Sequence, residues 1–339
     1  MTVRARVAVF AVLVIVVLTA VAGFATAELR RSQAERSAPS DVATTMPDAV
    51  TGPRLVFRST APGDLYGLVA AVPLDDLAGP RAVASVACDR VDATDDAAVC
   101  LRTVRGVVTT FEAQVLDAAW QVTESWPLPG VPSRTRFSPD GTLVSTTSFV
   151  TGHSYATTGF STETVVRTAD GADPVNLEDF ALFVDGAPAA PVDRNVWGVT
   201  FVDDTSFYAT VQSRSLGRTW LVRGDLAART LTTVLDGVEC PSLSPDGTRI
   251  AFKHDTDPGT GFRWAPAVLD VATLDVTVLE AETRDVDDQI AWLDDETLLY
   301  GLPRADQPGL TDVWSLPADG SGTPEVAVPE AWSPAVVRG

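Results

Sequence analysis

The chain is poor in the residues that build most metal and redox sites. Its 339 residues include only two histidines, His153 and His254, so a site made of several imidazole ligands is excluded. The three cysteines, Cys88, Cys100 and Cys240, never stand two residues apart, which excludes zinc-ribbon and thioredoxin-type spacings. No glycine-rich phosphate loop or dinucleotide fingerprint is present, and neither a metal nor a cofactor is implied. Positive charge is scarce too: 45 acidic residues face 25 basic ones, a net charge of −20, and lysine occurs once, at Lys253. Such a chain repels a phosphate backbone, so nucleic acid is not an expected partner.

What the sequence does have begins at its N-terminus. Residues Val7 to Ala27 are 21 consecutive uncharged positions, preceded by Arg4 and Arg6. A helix of about 20 apolar residues spans a bilayer, and flanking arginines favour keeping the short end in the cytoplasm. Residues 1–27 are therefore read as a transmembrane signal-anchor or a signal peptide. The run is longer than a usual signal core, which favours an anchor, while Ala25-Thr26-Ala27 resembles a cleavage site. The expected location is the cell membrane with the rest of the chain outside the cytoplasm, or secretion if cleavage follows Ala27. Residues 28–52 are polar, without aromatics, and read as a flexible linker. The globular domain is expected over 53–339.

From Pro53 onward helical periodicity is scarce, and short β-rich runs alternate with Gly, Pro and Asp turns. One segment recurs. FSPDGTLVS from Phe137 and LSPDGTRIA from Leu243 are plain copies; FVDDTSFYA from Phe201 and WLDDETLLY from Trp292 are degenerate ones. Each reads as a strand, a tight turn and the next antiparallel strand, with the turn aspartate bonding neighbouring backbone N–H groups. The four turn aspartates, Asp140, Asp204, Asp246 and Asp295, lie 64, 42 and 49 residues apart, and four-stranded propeller blades run about 40–50 residues. The long gap implies an insertion around 150–164 or 170–193. Tryptophans at 220, 264 and 314 fall at a third-strand position and read as blade packing. The fold class expected is all-β, a six-bladed β-propeller preceded by one N-terminal transmembrane or signal helix. The tail AWSPAVV, 331–337, has first-strand character, and residues 333–337 are expected to complete blade one against 54–59.

The SPDGT turns, each followed by an apolar strand, and the segment DVWSLPADGSG resemble the repeats of TolB-type propellers, over most of 53–339. The resemblance implies an exported propeller that serves as a docking platform for envelope proteins. The chain departs from TolB in its N-terminal part: TolB has an α/β domain before the propeller, and here a linker of about 25 residues stands in that place.

Candidate chemistry is thin, and no catalytic residue is assigned. His153, Ser154 and Tyr155 sit in a segment that superficially resembles a hydrolase nucleophile elbow, but the Ser/Thr-rich context is strand-like; they remain weak ligand-binding candidates. Asp255, Asp257 and Gly259 have calcium-loop spacing without enough oxygen ligands. The Asp203/Asp204 and Asp294/Asp295 pairs recur at the repeat's turn, so structure accounts for them. Export and a turn-rich segment between Cys88 and Cys100 predict a disulfide joining them across strands of blade two, with Cys240 free and buried. The function expected is a non-enzymatic, extracytoplasmic scaffold binding an envelope protein, peptide or glycan. The alternative is a propeller-type hydrolase or lyase using carboxylates in the central pocket.

Overall fold

The two SPDGT turns fold as their residues dictate. The Ser138 N–H bonds to the Leu143 carbonyl at 2.9 Å, Gly141 takes φ +73°, and Asp140 accepts from the Thr142 N–H at 3.1 Å. The second copy repeats this with Ser244 and Arg249 at 2.8 Å, Gly247 at φ +72°, and Asp246 accepting from the Thr248 N–H at 3.0 Å. The degenerate copies differ from expectation. Asp203, not Asp204, holds its turn, accepting from the N–H groups of Thr205 and Ser206 at 2.8 and 2.7 Å. Asp294, not Asp295, accepts from the Glu296 N–H at 2.8 Å. The cause is the missing glycine. Without a residue at positive φ the hairpin closes one residue earlier: Phe201 faces Phe207 and Trp292 faces Leu298, where Phe137 faces Val144 and Leu243 faces Ile250. Asp295 instead accepts the Asp246 N–H of the neighbouring blade at 2.9 Å.

The computed structural model describes residues 3–36, 40, 42–150, 161–257 and 263–339. It divides into two units, residues 1–41 with 61–66, and residues 42–60 with 67–339. The second unit is a propeller of six antiparallel blades. From the axis outward, blade two holds Arg90–Ala93, Ala97–Val104, Thr110–Asp117 and Val122–Leu128. Blade three begins at Val131–Phe137, blade four at Arg194–Phe201, blade five at Glu239–Leu243 and blade six at Ala291–Trp292. Blade one is built from both ends of the domain. Arg54–Ser59, Leu68–Pro73 and Arg81–Ala87 follow in order, and the C-terminal strand Ala331–Val337 lies innermost, antiparallel to Arg54–Ser59 with Leu55 opposite Val336.

Two outer additions stand beyond the repeat. Thr44–Thr45, in the stretch read as linker, pairs in parallel with Arg81 and Ala82. A hairpin of Ala181–Val184 and Ala187–Ala189 extends blade four, with Ala181–Phe183 parallel to Thr230–Thr232. This hairpin is described structure within the long gap between repeats.

Apolar faces between blades form the core; Leu55, Phe57, Phe207, Trp220 and Phe252 are all essentially inaccessible. Blade faces are pinned by a polar peg at every junction. Ser333 Oγ meets the backbone of Val91 at 3.2 Å between blades one and two, and Asp92 accepts the Phe137 N–H at 2.7 Å between two and three. Thr164 donates to the Val196 carbonyl at 2.5 Å, and Thr200 accepts the Leu243 N–H at 3.1 Å. The Trp292 indole donates to the Ser242 carbonyl at 2.8 Å, and Thr60 closes the circle on the Thr311 carbonyl at 3.0 Å. A buried polar group left unpaired costs ~1–3 kcal/mol, so each peg fixes the angle between its blades as well as holding them.

Cys88 and Cys100 form a disulfide, with Cα atoms 5.4 Å apart. Cys88 lies in the crossover from blade one to blade two rather than in a strand, so the bridge ties that crossover to the second strand of blade two. Cys240 is free and buried.

In the first unit, residues Val3–Arg36 form one helix. Phe10, Leu13, Ile15, Val17, Leu18 and Phe24 are all exposed on it. Among the described residues no helix is long and apolar enough to cross a membrane.

Deleting everything after Glu330 removes the innermost strand of blade one, including the buried Ala331, Ala335 and Val337. The expected loss is several kcal/mol, or ~10 °C in melting temperature for a domain of this size, read by thermal denaturation. An unchanged melting temperature contradicts the closure.

Candidate functional site

The innermost strands converge on the propeller axis, and their side chains alternate between the axis and the blade interior. Counting back from the repeat's turn aspartate defines layers. Six residues before it stand Arg134, Gly198, Cys240 and Gln289, and the same place is held by Arg90 in blade two and Ser333 in blade one. The strand bulges here in three blades, with Gly198, Cys240 and Ser333 at φ +65°, +51° and +56°. A Cβ on Gly198 would meet the Cys240 Cα at 2.7 Å, so only glycine lets blades four and five approach this closely. Blades two, three and six present Arg90, Arg134 and Gln289 instead.

Ion pairs bind this layer together. Arg90 donates to Asp288 at 2.8 Å, and the Asp288 side chain is 1% exposed. Its guanidinium also lies over the Trp332 ring at 5.0 Å. Burial lowers the Arg90 pKa, and the nearby Arg134 lowers it further. Two residues nearer the turns, Arg136 faces Asp92 at 3.8 Å. On blade five, Lys253 reaches Asp287 at 2.6 Å and Glu239 at 3.8 Å, with its ammonium over the Trp264 ring at 4.4 Å. Burial pushes the Glu239 carboxyl up to about 7 against the opposing pull of Lys253.

Above the arginine layer the axis opens. A cavity of about 20 Å³ is lined by Arg90, Arg134, Arg136, Asp288, Gln289 and Ser333. Beside it, sharing Asp92 and Arg136, lies a funnel of about 610 Å³ at the turn end of the innermost strands. Every blade contributes to its wall, among them Phe137, Thr200, Ser244, Trp292 and Val337. Asp95 and Asp246 are exposed on its lining. The funnel lining thus carries exposed Asp95, Asp246 and Arg338, and the smaller cavity carries three arginines against Asp92 and Asp288.

The residues named from sequence are distributed otherwise. His153, Ser154 and Tyr155 lie outside the described residues, as does Gly259. Asp255 accepts the Asp257 N–H at 3.0 Å, as in an ordinary acidic turn, and among the described residues no cluster suited to a metal is found. Of the turn aspartates, Asp246 lines the funnel. Sequence reasoning missed Arg90, Arg134, Arg136 and Glu239. The signal available was the alternation Arg90-Val91-Asp92 and Arg134-Thr135-Arg136 in the strand before a turn.

Comparison with known proteins bears on the fold. No protein-family model matches the sequence, and a search of curated proteins finds no match. Among solved structures the chain is similar to TolB from Acinetobacter baumannii, at TM-score 0.57 and 17% identity, over 84% of this chain and 66% of that one. It is also similar to a protein described as TolB from Agrobacterium tumefaciens, at TM-score 0.52 and 12% identity, over 83% and 90%. A nidogen/laminin complex gives TM-score 0.52 and 11% identity over 84% and 98%. The chain thus has the TolB-like propeller fold while spanning just under two thirds of the Acinetobacter protein.

Glu178, which joins blade three to blade four through the N–H groups of Thr164 and Val196 at 2.9 and 3.2 Å, is also pushed by burial to about 7. A carboxyl raised on folding holds more protons folded than unfolded between its ordinary value, 4.5, and about 7. Its stabilising contribution is full below that window and is lost as pH rises through it. Each such change is of the order of 3 kcal/mol. Asp203 and Asp246 act oppositely: hydroxyl donors, Thr205 and Ser244 first, pull them to about 2, so their contribution is lost as pH falls from 3.8 toward 2. Melting temperature is therefore expected to peak near pH ~4–5 and decline toward neutrality. The Glu178→Gln, Glu239→Gln double variant should flatten that decline. A melting temperature that rises from pH 5 to 7 contradicts the assignment.

Proposed function

We propose that the protein is a non-enzymatic, extracytoplasmic scaffold of the cell envelope that receives part of an envelope protein, peptide or glycan in its axial funnel. The funnel carries this reading: about 610 Å³ of open space, walled by all six blades, with apolar side chains beside polar ones. The likeness of fold to TolB supports it at the level of architecture. Tethering through residues 7–27 rests on the uncharged run and the arginines before it, and on a helix whose described apolar side chains, Phe10, Leu13, Ile15, Leu18 and Phe24 among them, are exposed. Cleavage after Ala27 would release the same propeller on the same side of the membrane.

One observation favours a second reading. Glu239, with a pKa of about 7 and a lysine at 3.8 Å, has the perturbed ionisation found at general acid–base sites. In that reading the protein is a propeller-type hydrolase or lyase. Glu239 stands apart from the funnel lining and is joined to Lys253 in an ion pair, so burial explains its pKa without catalysis.

The test is affinity capture from native membranes with the full chain. Pro139 and Pro245 are exposed and line the funnel. The Pro139→Trp, Pro245→Trp double variant should fold normally, narrow the funnel and capture at least ~10-fold less of any partner that the wild type holds. Equal capture by both proteins overturns the funnel as the binding site.

A further inference from the structure

The arginine layer leaves one cation over. Arg90 has Asp288, Arg136 has Asp92, and Lys253 has Asp287 with Glu239. Arg134 has none: among the described residues no carboxylate lies within ion-pair distance of it. Its guanidinium donates to the Ser133 carbonyl at 3.0 Å and has the Cys240 thiol as a side-chain partner. Its Nε is buried and has no acceptor. The Nε of Arg136, lining the same cavity, is likewise buried without an acceptor. Against burial, Asp288 and Asp287 act on Arg134 from beyond contact distance and hold its pKa up, but three guanidinium groups line this cavity against two carboxylates, Asp92 and Asp288, and two Nε atoms there lack an acceptor.

We infer that Arg134, with Arg90 and Arg136, forms a receptor for a carboxylate carried on the tip of a chain that fills the funnel. The inference rests on the scaffold reading and names the chemistry of its ligand. Guanidinium groups present paired N–H donors that match a planar carboxylate. The cavity of about 20 Å³ holds one or two water-sized groups, the scale of the two oxygens of a carboxylate. Asp92 and Arg136 line both the cavity and the funnel, so a ligand whose tip displaces or passes this pair lies with its remainder against Phe137, Leu243 and Trp292. Exposed Asp95 and Asp246 outnumber the exposed Arg338 on the funnel lining, which favours a ligand with basic or neutral residues behind its acidic tip. The carboxylate is either a chain terminus or an Asp or Glu side chain.

The first probe is sodium acetate, compared with sodium chloride and sodium phosphate at equal ionic strength, read by melting temperature of the full chain at pH 7. Acetate should raise the wild-type melting temperature by ~3 °C beyond chloride, and phosphate by less. Arg134→Gln should remove the acetate increment, Arg134→Lys should keep part of it, and the distant Arg102→Gln should keep all of it. Equal increments in wild type and Arg134→Gln, or none in wild type, overturn the inference. The lysine variant keeps the test valid if the glutamine variant folds poorly. A peptide Lys-Gly-Lys-Ala-Glu with free or amidated C-terminus, and its Gln counterpart, then separates terminal from side-chain carboxylate by which version Arg134→Gln weakens ~10-fold. A partner captured through the funnel but indifferent to Arg134→Gln overturns the carboxylate receptor alone. An acetate increment lost in Arg134→Gln, with capture indifferent to the funnel, overturns the scaffold alone.

Discussion

The pairing of Ala331–Val337 with Arg54–Ser59 is the constraint on which the rest depends. Five blades are continuous stretches of chain; the sixth exists only if the two ends of the domain meet. An unclosed propeller would expose a sheet edge and the apolar faces on both sides of the gap. Closure also fixes what lies inside, because six innermost strands at equivalent heights bring equivalent residues to one axis. The bulges at Gly198, Cys240 and Ser333 recur at one position for that reason, and the place they leave is taken by Arg90, Arg134 and Gln289.

From this follows the division of charge in the protein. Many of its aspartates sit in turns, where they hold backbone N–H groups, as Asp117, Asp203, Asp246 and Asp270 do. Several cations pair with buried carboxylates or lie over tryptophan rings: Arg90 on Trp332, Arg249 on Trp292 and Arg284 on Trp314. Around the axis the Nε atoms of Arg134 and Arg136 are buried without an acceptor. Binding of a chain with a carboxylate tip is the chemistry that supplies one.

Much of the architecture was legible in the sequence because its signals were local. The SPDGT copies specify a turn through proline, aspartate and a glycine at positive φ, and the spacing between copies gives the blade. The Cys88–Cys100 bridge was visible from the turn-rich segment between the two cysteines, taken with the export expected from the N-terminal run. The turn aspartates in blades four and six were misplaced by one residue because losing the glycine shortens the hairpin, an effect on backbone geometry that residue matching hides. The outer hairpin at 181–189 could be seen as excess length but not as sheet, since its pairing is to a strand some 50 residues later. The axial site was not legible. Arg-Val-Asp and Arg-Thr-Arg look like half-exposed strand, and only ring closure turns alternating charges toward a common axis.

Hydrogen–deuterium exchange across the domain tests the closure most directly. A closed ring predicts that amides of 331–337 exchange as slowly as those of 54–59 and lose protection together with them as denaturant rises. Rapid exchange over 331–337 while 54–59 stays protected would show an open ring, and the axial layers and the site built on them would fall with it.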